Sequence, residues 1–356
     1  MDKRLGIVLP FQMAEKGLRT LRKLALVDGQ LRFLRTEHGL LVPLVHSLSN
    51  TEASLLNKEI GVVETQLGLF ARGNDRRSQS LSATLESELT GDLAARPPRS
   101  FDVIGDIAIV EIPVGMEQFS TVIARAAMKA NPHIRLVLWK SGQTEGPFRV
   151  RKYTIIAGEG GTETVHQEFS CRYHLDVSKV YFNPRLSHER IRVAEQVKPD
   201  DVVVDMFAGV GPYSVLAGKL QQMAYVYSVD LNPSAFAYLK ENVFINRVAD
   251  RVIPLFGDVK ELGRARLKGM ADRVIMNLPS ESFAYLPMAL QILGSDGGVI
   301  HFYAFASRSE NTEAVRNRLK AAILEQNRAV KSFSFCKAIR EIAPNRVQVA
   351  IDVAVN

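Results

Sequence analysis

Apolar positions recur along this chain in three different ways. In the first stretch, Leu5-Val8 reads as a short strand, Met13 to Leu26 carries apolar residues at helical spacing, and Leu31-Leu34 and Gly39-Val45 return to strand-like runs. Together they predict a small α+β module over residues 1–70. Residues 71–99 lose this periodicity, turn polar and end in Pro-Pro, which predicts a linker. Residues 100–180 open with FDVIGDIAIVEIP, where Ile104, Ile107, Ile109, Val110 and Ile112 predict strands broken at Gly105-Asp106. A helix over Gln118–Lys129, a buried strand over Ile134–Lys140, and strands at Phe148–Ala157, Glu163–Cys171 and Arg172–Val177 complete an antiparallel-leaning α+β domain. The last stretch, 181–356, alternates: VVVDMF, a helix from Pro212, AYVYSVDL, a helix from Pro233, then RVIPLFGD, RVIMNLP and GGVIHFYAF. Strands spaced by helix-length intervals predict parallel βαβ units and a Rossmann-like, doubly wound sheet. The fold class expected is therefore α/β in the C-terminal half, preceded by two α+β modules.

Composition narrows the picture slightly. With 356 residues, 46% hydrophobic and 23% charged, the chain is globular and long enough for more than one core. A formal charge of +7 fits an anionic partner, because clustered Lys and Arg draw phosphates. Only Cys171 and Cys336 occur, without CxxC spacing or a nearby His, so neither a disulfide framework nor a metal site is expected and a reducing cytoplasm fits. No run approaches the ~18 apolar residues that span a bilayer, and the N-terminus lacks the apolar core of a signal peptide. A cytoplasmic protein without membrane insertion is expected.

The chemistry gathers at strand ends. In VVVDMFAGVG a buried run ends at Asp205 and turns through Gly209 and Gly211 into a helix that Pro212 is suited to start. A nicotinamide-binding turn would want a small residue three positions after the second Gly, where Ser214 stands. Asp205 tips the reading towards a methyltransferase, since a carboxylate there serves an ammonium or a water network but repels a pyrophosphate. Asp230 closes the next strand, placed to accept from ribose hydroxyls, which both nucleoside cofactors require. Asp258 ends the third, where it could accept from an adenine amine while the backbone N–H of Val259 donates to the ring, or simply cap a helix. Asn277 ends the fourth, with Pro279 stiffening the turn, and its amide suits a nucleobase edge or an ordinary turn. Ahead of the sheet, Ser187 reads as an N-cap with Glu189 in the first turn, by itself only a dipole-complementing acid. Arg149 reads as a surface or phosphate-contacting residue.

Taken together, LGIVLPFQMAEKGLRTL, SFDVIGDIAIVEIP, FRVRKYTIIAGE, VYFNPRLSHER, DMFAGVGPYS and NLP resemble the archaeal and eukaryotic tRNA guanine-37 N1-methyltransferases over nearly the whole chain. The resemblance implies S-adenosyl-L-methionine as cofactor, tRNA as partner (its anticodon loop and its body), and a monomer. It implies a donor site of Arg190, Asp205, Phe207, Gly209 and Gly211, with Asp230 and Leu231 at the ribose, Asp258 and Val259 at the adenine, and Asn277 and Pro279 near the reacting centre. It further implies Glu189 as general base, Arg149 as the cation at guanine O6, and Tyr181 as support for a flipped base. Guanine N1 carries a proton, so a carboxylate must remove it as the methyl arrives, while a cation offsets charge growing on O6. His188 departs from the small residue expected before the acid, which bears on how Glu189 is positioned. A bifunctional enzyme acting also on a tricyclic guanine derivative stays open. NLP in place of NPP argues against an aminocarboxypropyl transferase, and the presence of Glu189, Arg149 and the strand-end acids argues against a silent tRNA-binding protein.

Overall fold

The early apolar runs pair with one another. In the computed structural model, β1 (Asp2–Leu9) lies between β3 (Leu40–Pro43) and β4 (Glu64–Phe70), with β2 (Leu34–Arg35) beyond β3, all antiparallel. Residues 2–10, 13–28, 31–36, 39–61, 64–71, 101–145 and 150–356 are described, so the expected linker at 71–99 falls almost wholly outside them. By contacts the chain forms two units, Met1–Ala94 and Ala95–Asn356. In the first, α1 (Ala14–Lys23) and α2 (Asn50–Ile60) flank the sheet, and Ile7, Leu9, Leu21, Leu26, Val42 and Leu56 form a core without solvent exposure. Helix α2 starts on a capping box, in which Ser49 Oγ accepts from the Glu52 N–H and the Glu52 carboxylate accepts from the Ser49 N–H. The sequence reading passed over both α2 and β4.

The second unit contains a small sheet ordered β5 (Asp102–Ile104), β6 (Ile107–Val110), β7 (Leu136–Glu145), β8 (Val150–Gly158). The turn at Gly105-Asp106 makes β5–β6 antiparallel, and α3 (Ser120–Ala130) crosses over to make β6–β7 parallel. Next comes a hairpin of β9 (Glu163–Glu168) and β10 (Cys171–Asp176). Its outer edge is closed by a later helix, α6 (Pro233–Ile245): the Asn242 and Asn246 carboxamides exchange hydrogen bonds of 2.6 to 3.0 Å with the backbone of His174 and Arg172. Two asparagines one helical turn apart thus stand in for a neighbouring strand.

The large sheet runs β13 (Val252–Phe256), β12 (Tyr225–Asp230), β11 (Val202–Asp205), β14 (Arg273–Met276), β15 (Gly298–Ser307), β17 (Arg346–Val355), β16 (Val330–Ala343). The first five are parallel, and the last two form an antiparallel hairpin whose second strand is inserted beside β15. Successive residues of β11 serve opposite faces: Val203 belongs to one core, Val204 to the other. The helix α4 (Ser187–Ala194) precedes β11, and α5 (Pro212–Leu220), α6, α7 (Val259–Leu262), α8 (Ser282–Ile292) and α9 (Thr312–Glu325) connect the strands, as the doubly wound reading expected. Strand order reverses at β11, with β12 on one side and β14 on the other, which opens a crevice at the carboxyl ends. One local expectation is corrected: Ser187 does not cap α4. The cap belongs to a 3-10 turn just before it, Pro184–Leu186, where Asn183 Oδ1 accepts from the Arg185 N–H and Pro184 takes the first position.

Candidate functional site

The crevice begins at the glycine turn after β11. Gly211 (φ 87°) is the left-handed N-cap of α5, and a Cβ there would come within 2.5 Å of Leu239, so this glycine serves packing between helices. At Gly209 (φ 57°) a Cβ would meet nothing nearer than a backbone oxygen at 3.8 Å. That side of the turn is open to a ligand, and Gly209 lines the cleft.

Behind the turn, Asp205 is 1% exposed and accepts from Ser214 Oγ at 2.8 Å, which explains the Ser at the third small position of the motif. Burial pushes its carboxyl up to about 7, only partly offset by Ser214 and the Phe207 N–H. Its second oxygen and the Ser228 hydroxyl, a register partner on β12, are both buried without a hydrogen bond. At the end of β12, Asp230 accepts from the Gly209 N–H at 2.6 Å and the Asn232 N–H at 2.8 Å. Each oxygen keeps lone-pair capacity for a hydroxyl donor, and burial raises this carboxyl too. Asp258 caps α7 through the Lys260 N–H at 2.8 Å and also faces the cleft, so its two readings coexist.

The cleft has a volume of about 630 Å³, within the range of small-molecule sites. From the glycine turn and the ends of β12 and β13 the lining takes Phe207, Gly209, Asp230, Leu231, Asp258 and Val259, and from the β14–α8 region Glu281 and Tyr285. The Phe207 and Tyr285 rings meet edge to face at 5.0 Å, and Leu231 leaves 48% of its surface exposed, so apolar cover accompanies the acids. Asn277 and Pro279 after β14, Arg340 on β16, Arg346 on β17, and Arg151 and Tyr181 from outside the large sheet add to the lining. Tyr181 is 39% exposed, with the Arg151 guanidinium 6.0 Å from its ring, a face on which a base can stack. The lining acids Asp230 and Asp258 follow β12 and β13 on one side of β11, and the lining arginines Arg340 and Arg346 stand on β16 and β17 at the far side of the sheet.

Arg190 and Glu189 lie behind the wall and, like Asp205 and Gly211, do not line it. Arg190 is buried and pairs with Glu168 at 2.5 and 2.7 Å while donating to the Asn183 carbonyl, so it braces the β9 end against α4. Glu189 is 6% exposed and receives Arg192 at 2.6 and 2.9 Å and the Tyr303 hydroxyl at 2.7 Å. Arg192 also pairs with Asp352 and lies 3.9 Å over the Phe335 ring. Although burial opposes it, hydrogen bonds from His301 and Arg192 hold the Asp352 carboxyl well below the usual range. His301 donates from Nδ1 to Asp352 and accepts from Arg273 at Nε2, the neutral tautomer that burial favours. Glu189 is thus the inner end of a buried network with fixed orientation. His188 is exposed and takes no part in it. Arg149 lies outside the described residues. The sequence reading missed Arg151, Arg340, Arg346 and Gln348, all on strands of the cleft; only the alternation of charged and apolar residues in Phe148–Tyr153 hinted at the first.

Fold and cleft together define a doubly wound α/β enzyme that holds a nucleoside-bearing ligand at its switch point. Residues 164–331 match the TRM5/TYW2 methyltransferase domain, and residues 79–162 match the TYW2 N-terminal domain. The chain is 35% identical over 353 residues to the tRNA (guanine(37)-N(1))-methyltransferase Trm5b of Pyrococcus abyssi, covering 99% of each. The crystal structure of that Trm5b superposes with a TM-score of 0.70 at 33% identity, again over 99% of both chains. Similarity of 34% over 259 residues, 72% of this chain and 94% of the relative, extends to the tRNA 4-demethylwyosine(37)-methyltransferase Taw21 of Saccharolobus solfataricus. A complex of aTrm5 with tRNALeu has a TM-score of 0.67 at 29% identity, over 99% of this chain and 100% of that one. M. jannaschii TYW2 with AdoMet has a TM-score of 0.57 at 27% identity, over 72% of this chain and 99% of that one. The chain belongs to the TRM5/TYW2 methyltransferase family.

Proposed function

We propose that this enzyme transfers the methyl group of S-adenosyl-L-methionine to N1 of guanine-37 in the tRNA anticodon loop. The observation that carries the reading is one cleft lined both by the strand-end acceptors Asp230 and Asp258 of β12 and β13, suited to a cationic nucleoside donor, and by Arg340 and Arg346 of the β16–β17 hairpin, suited to an anionic nucleic acid. The residues present fit the donor. Asp230 has lone pairs for ribose hydroxyls, Asp258 and the Val259 N–H suit an adenine edge, and the unpartnered Asp205 oxygen offers a buried polar acceptor behind the open Gly209 turn. Bound there, the sulfonium supplies an electrophilic methyl.

The protein's part is to deliver and deprotonate the acceptor. A guanine taken out of the anticodon stack costs a few kcal/mol, offset by stacking on Tyr181 and by contacts elsewhere on the tRNA. Asn277 orients the base edge. Glu189, set just behind the cleft wall, takes the N1 proton once the everted base reaches it, and Arg192 and Tyr303 keep its carboxylate oriented for that task. Arg149 offsets charge on O6. The N-terminal unit takes the tRNA body. The similarity to Taw21 favours a second reading, in which a tricyclic guanine derivative enters the same acceptor end. Transcripts carrying G37 and tRNA carrying the tricyclic base, offered in parallel with labelled donor, separate the two: G37 is labelled under the first reading, and label confined to the tricyclic base establishes the second.

A further inference from the structure

Four cleft residues lie on β15 and the β16–β17 hairpin, away from the glycine turn and the strand-end acids, and they sit together. Arg340 on β16 and Gln348 on β17 are register partners, and Gln348 is in turn opposite Phe305 on β15. All three line the cleft as a row across three strands. Arg346 precedes Gln348 by two residues, on the same face of β17, and its guanidinium packs 4.4 Å from the Phe305 ring. The Phe305 N–H donates to the Pro279 carbonyl at 3.4 Å, which sets the row beside Asn277 and Pro279. Register shifts in β16 flank Arg340 on both sides, the kind of bulge that re-aims a side chain towards a site.

The polar inventory of this row is incomplete. Gln348 is 2% exposed and lines the cleft. Arg340 Nε is buried without a partner, and no carboxylate pairs with Arg340 or Arg346 among the described residues. A buried guanidinium N–H is costly to leave unsatisfied, and folds retain one where a ligand completes it.

We propose that the β16–β17 hairpin clamps the acceptor nucleotide: Gln348 reads the edge of the everted base, and Arg340 and Arg346 take the phosphates flanking it. The inference rests on the functional reading above and adds the residues that select the acceptor. A carboxamide both donates and accepts, as a purine edge requires. A guanidinium binds phosphate through two parallel N–H donors, and the stack on Phe305 holds Arg346 ready for it.

The test uses the full chain, an unmodified G37 transcript and labelled S-adenosyl-L-methionine, with S-adenosylhomocysteine affinity measured by calorimetry. Gln348→Leu, near-isosteric, is expected to lower kcat/KM for tRNA by ~10-fold or more with product affinity kept. Arg340→Ala and Arg346→Ala should each raise KM several-fold, leave kcat nearly unchanged and reduce the slope of log affinity against log salt by ~0.7 per lost contact. Arg346→Lys should recover the slope. Because Arg346 is exposed, Arg346→Glu keeps the fold; wild-type KM and salt slope in that variant, or wild-type kcat/KM in Gln348→Leu, would overturn the clamp. A wild-type enzyme that binds S-adenosylhomocysteine but leaves G37 unlabelled removes the functional reading and the clamp with it. Normal labelling with unchanged variants removes the clamp alone.

Discussion

On the parallel side of the cleft, each functional side chain stands where a strand stops: Asp205 on β11, Asp230 on β12, Asp258 just after β13, Asn277 just after β14. On the antiparallel side the polar residues lie within strands, and Arg340, Gln348 and Phe305 meet only because three strands hold one register. The parallel wall supplies acceptors and the antiparallel wall donors. Each βα unit contributes its strand-end residue independently, whereas the hairpin acts as a unit. The lesson is a division of labour: a change on one wall should alter affinity for one substrate and leave the other untouched.

The comparison can be broken most forcefully from behind both walls. Glu189→Gln should lower single-turnover methyl transfer by ~10²- to 10⁴-fold with donor affinity unchanged; an unchanged rate would refute the base assignment. Asp230→Ala should weaken donor binding in calorimetry by ~10- to 100-fold, the value of hydrogen bonds to a charged group, with tRNA affinity in filter binding unaltered. Loss of tRNA affinity there would show that the walls are not separable. Tyr303→Phe removes one hydrogen bond to Glu189 and should lower kcat ~10-fold while KM for both substrates holds. A change confined to KM would mean that Tyr303 serves packing.

The smallest effect concerns stability. Asp205 has its folded-state carboxyl raised to about 7, above its unfolded value, so the folded state keeps a proton that the unfolded chain releases. Stability therefore falls as pH rises from about 4 to about 7 through this group. Asp205→Asn removes that dependence. In urea melts without donor, the variant should gain on the wild type across this window and hold a constant difference above it; a difference independent of pH would contradict the assignment.

What the sequence disclosed follows the same divide. Strand-end acids and the Gly-x-Gly turn are local features, fixed by where an apolar run stops, so Asp205, Gly209, Asp230, Asp258 and Asn277 could be placed from residues alone. Helix α2 was also legible through its Ser49-to-Glu52 capping box but went unread. Arg190 depends on helix phase and on a partner, Glu168, at the end of a distant strand, so its position behind the wall had no local signal. Arg340 and Gln348 depend on cross-strand register and on the bulges of β16, which periodicity does not record.

The central claim is methyl transfer to guanine-37, and the most direct measurement is nucleoside analysis after incubation with radiolabelled S-adenosyl-L-methionine and unmodified transcripts bearing G or A at position 37. Label is expected as 1-methylguanosine in the G37 transcript and none in the A37 transcript. Label at another position, or equal label in both transcripts, would contradict it.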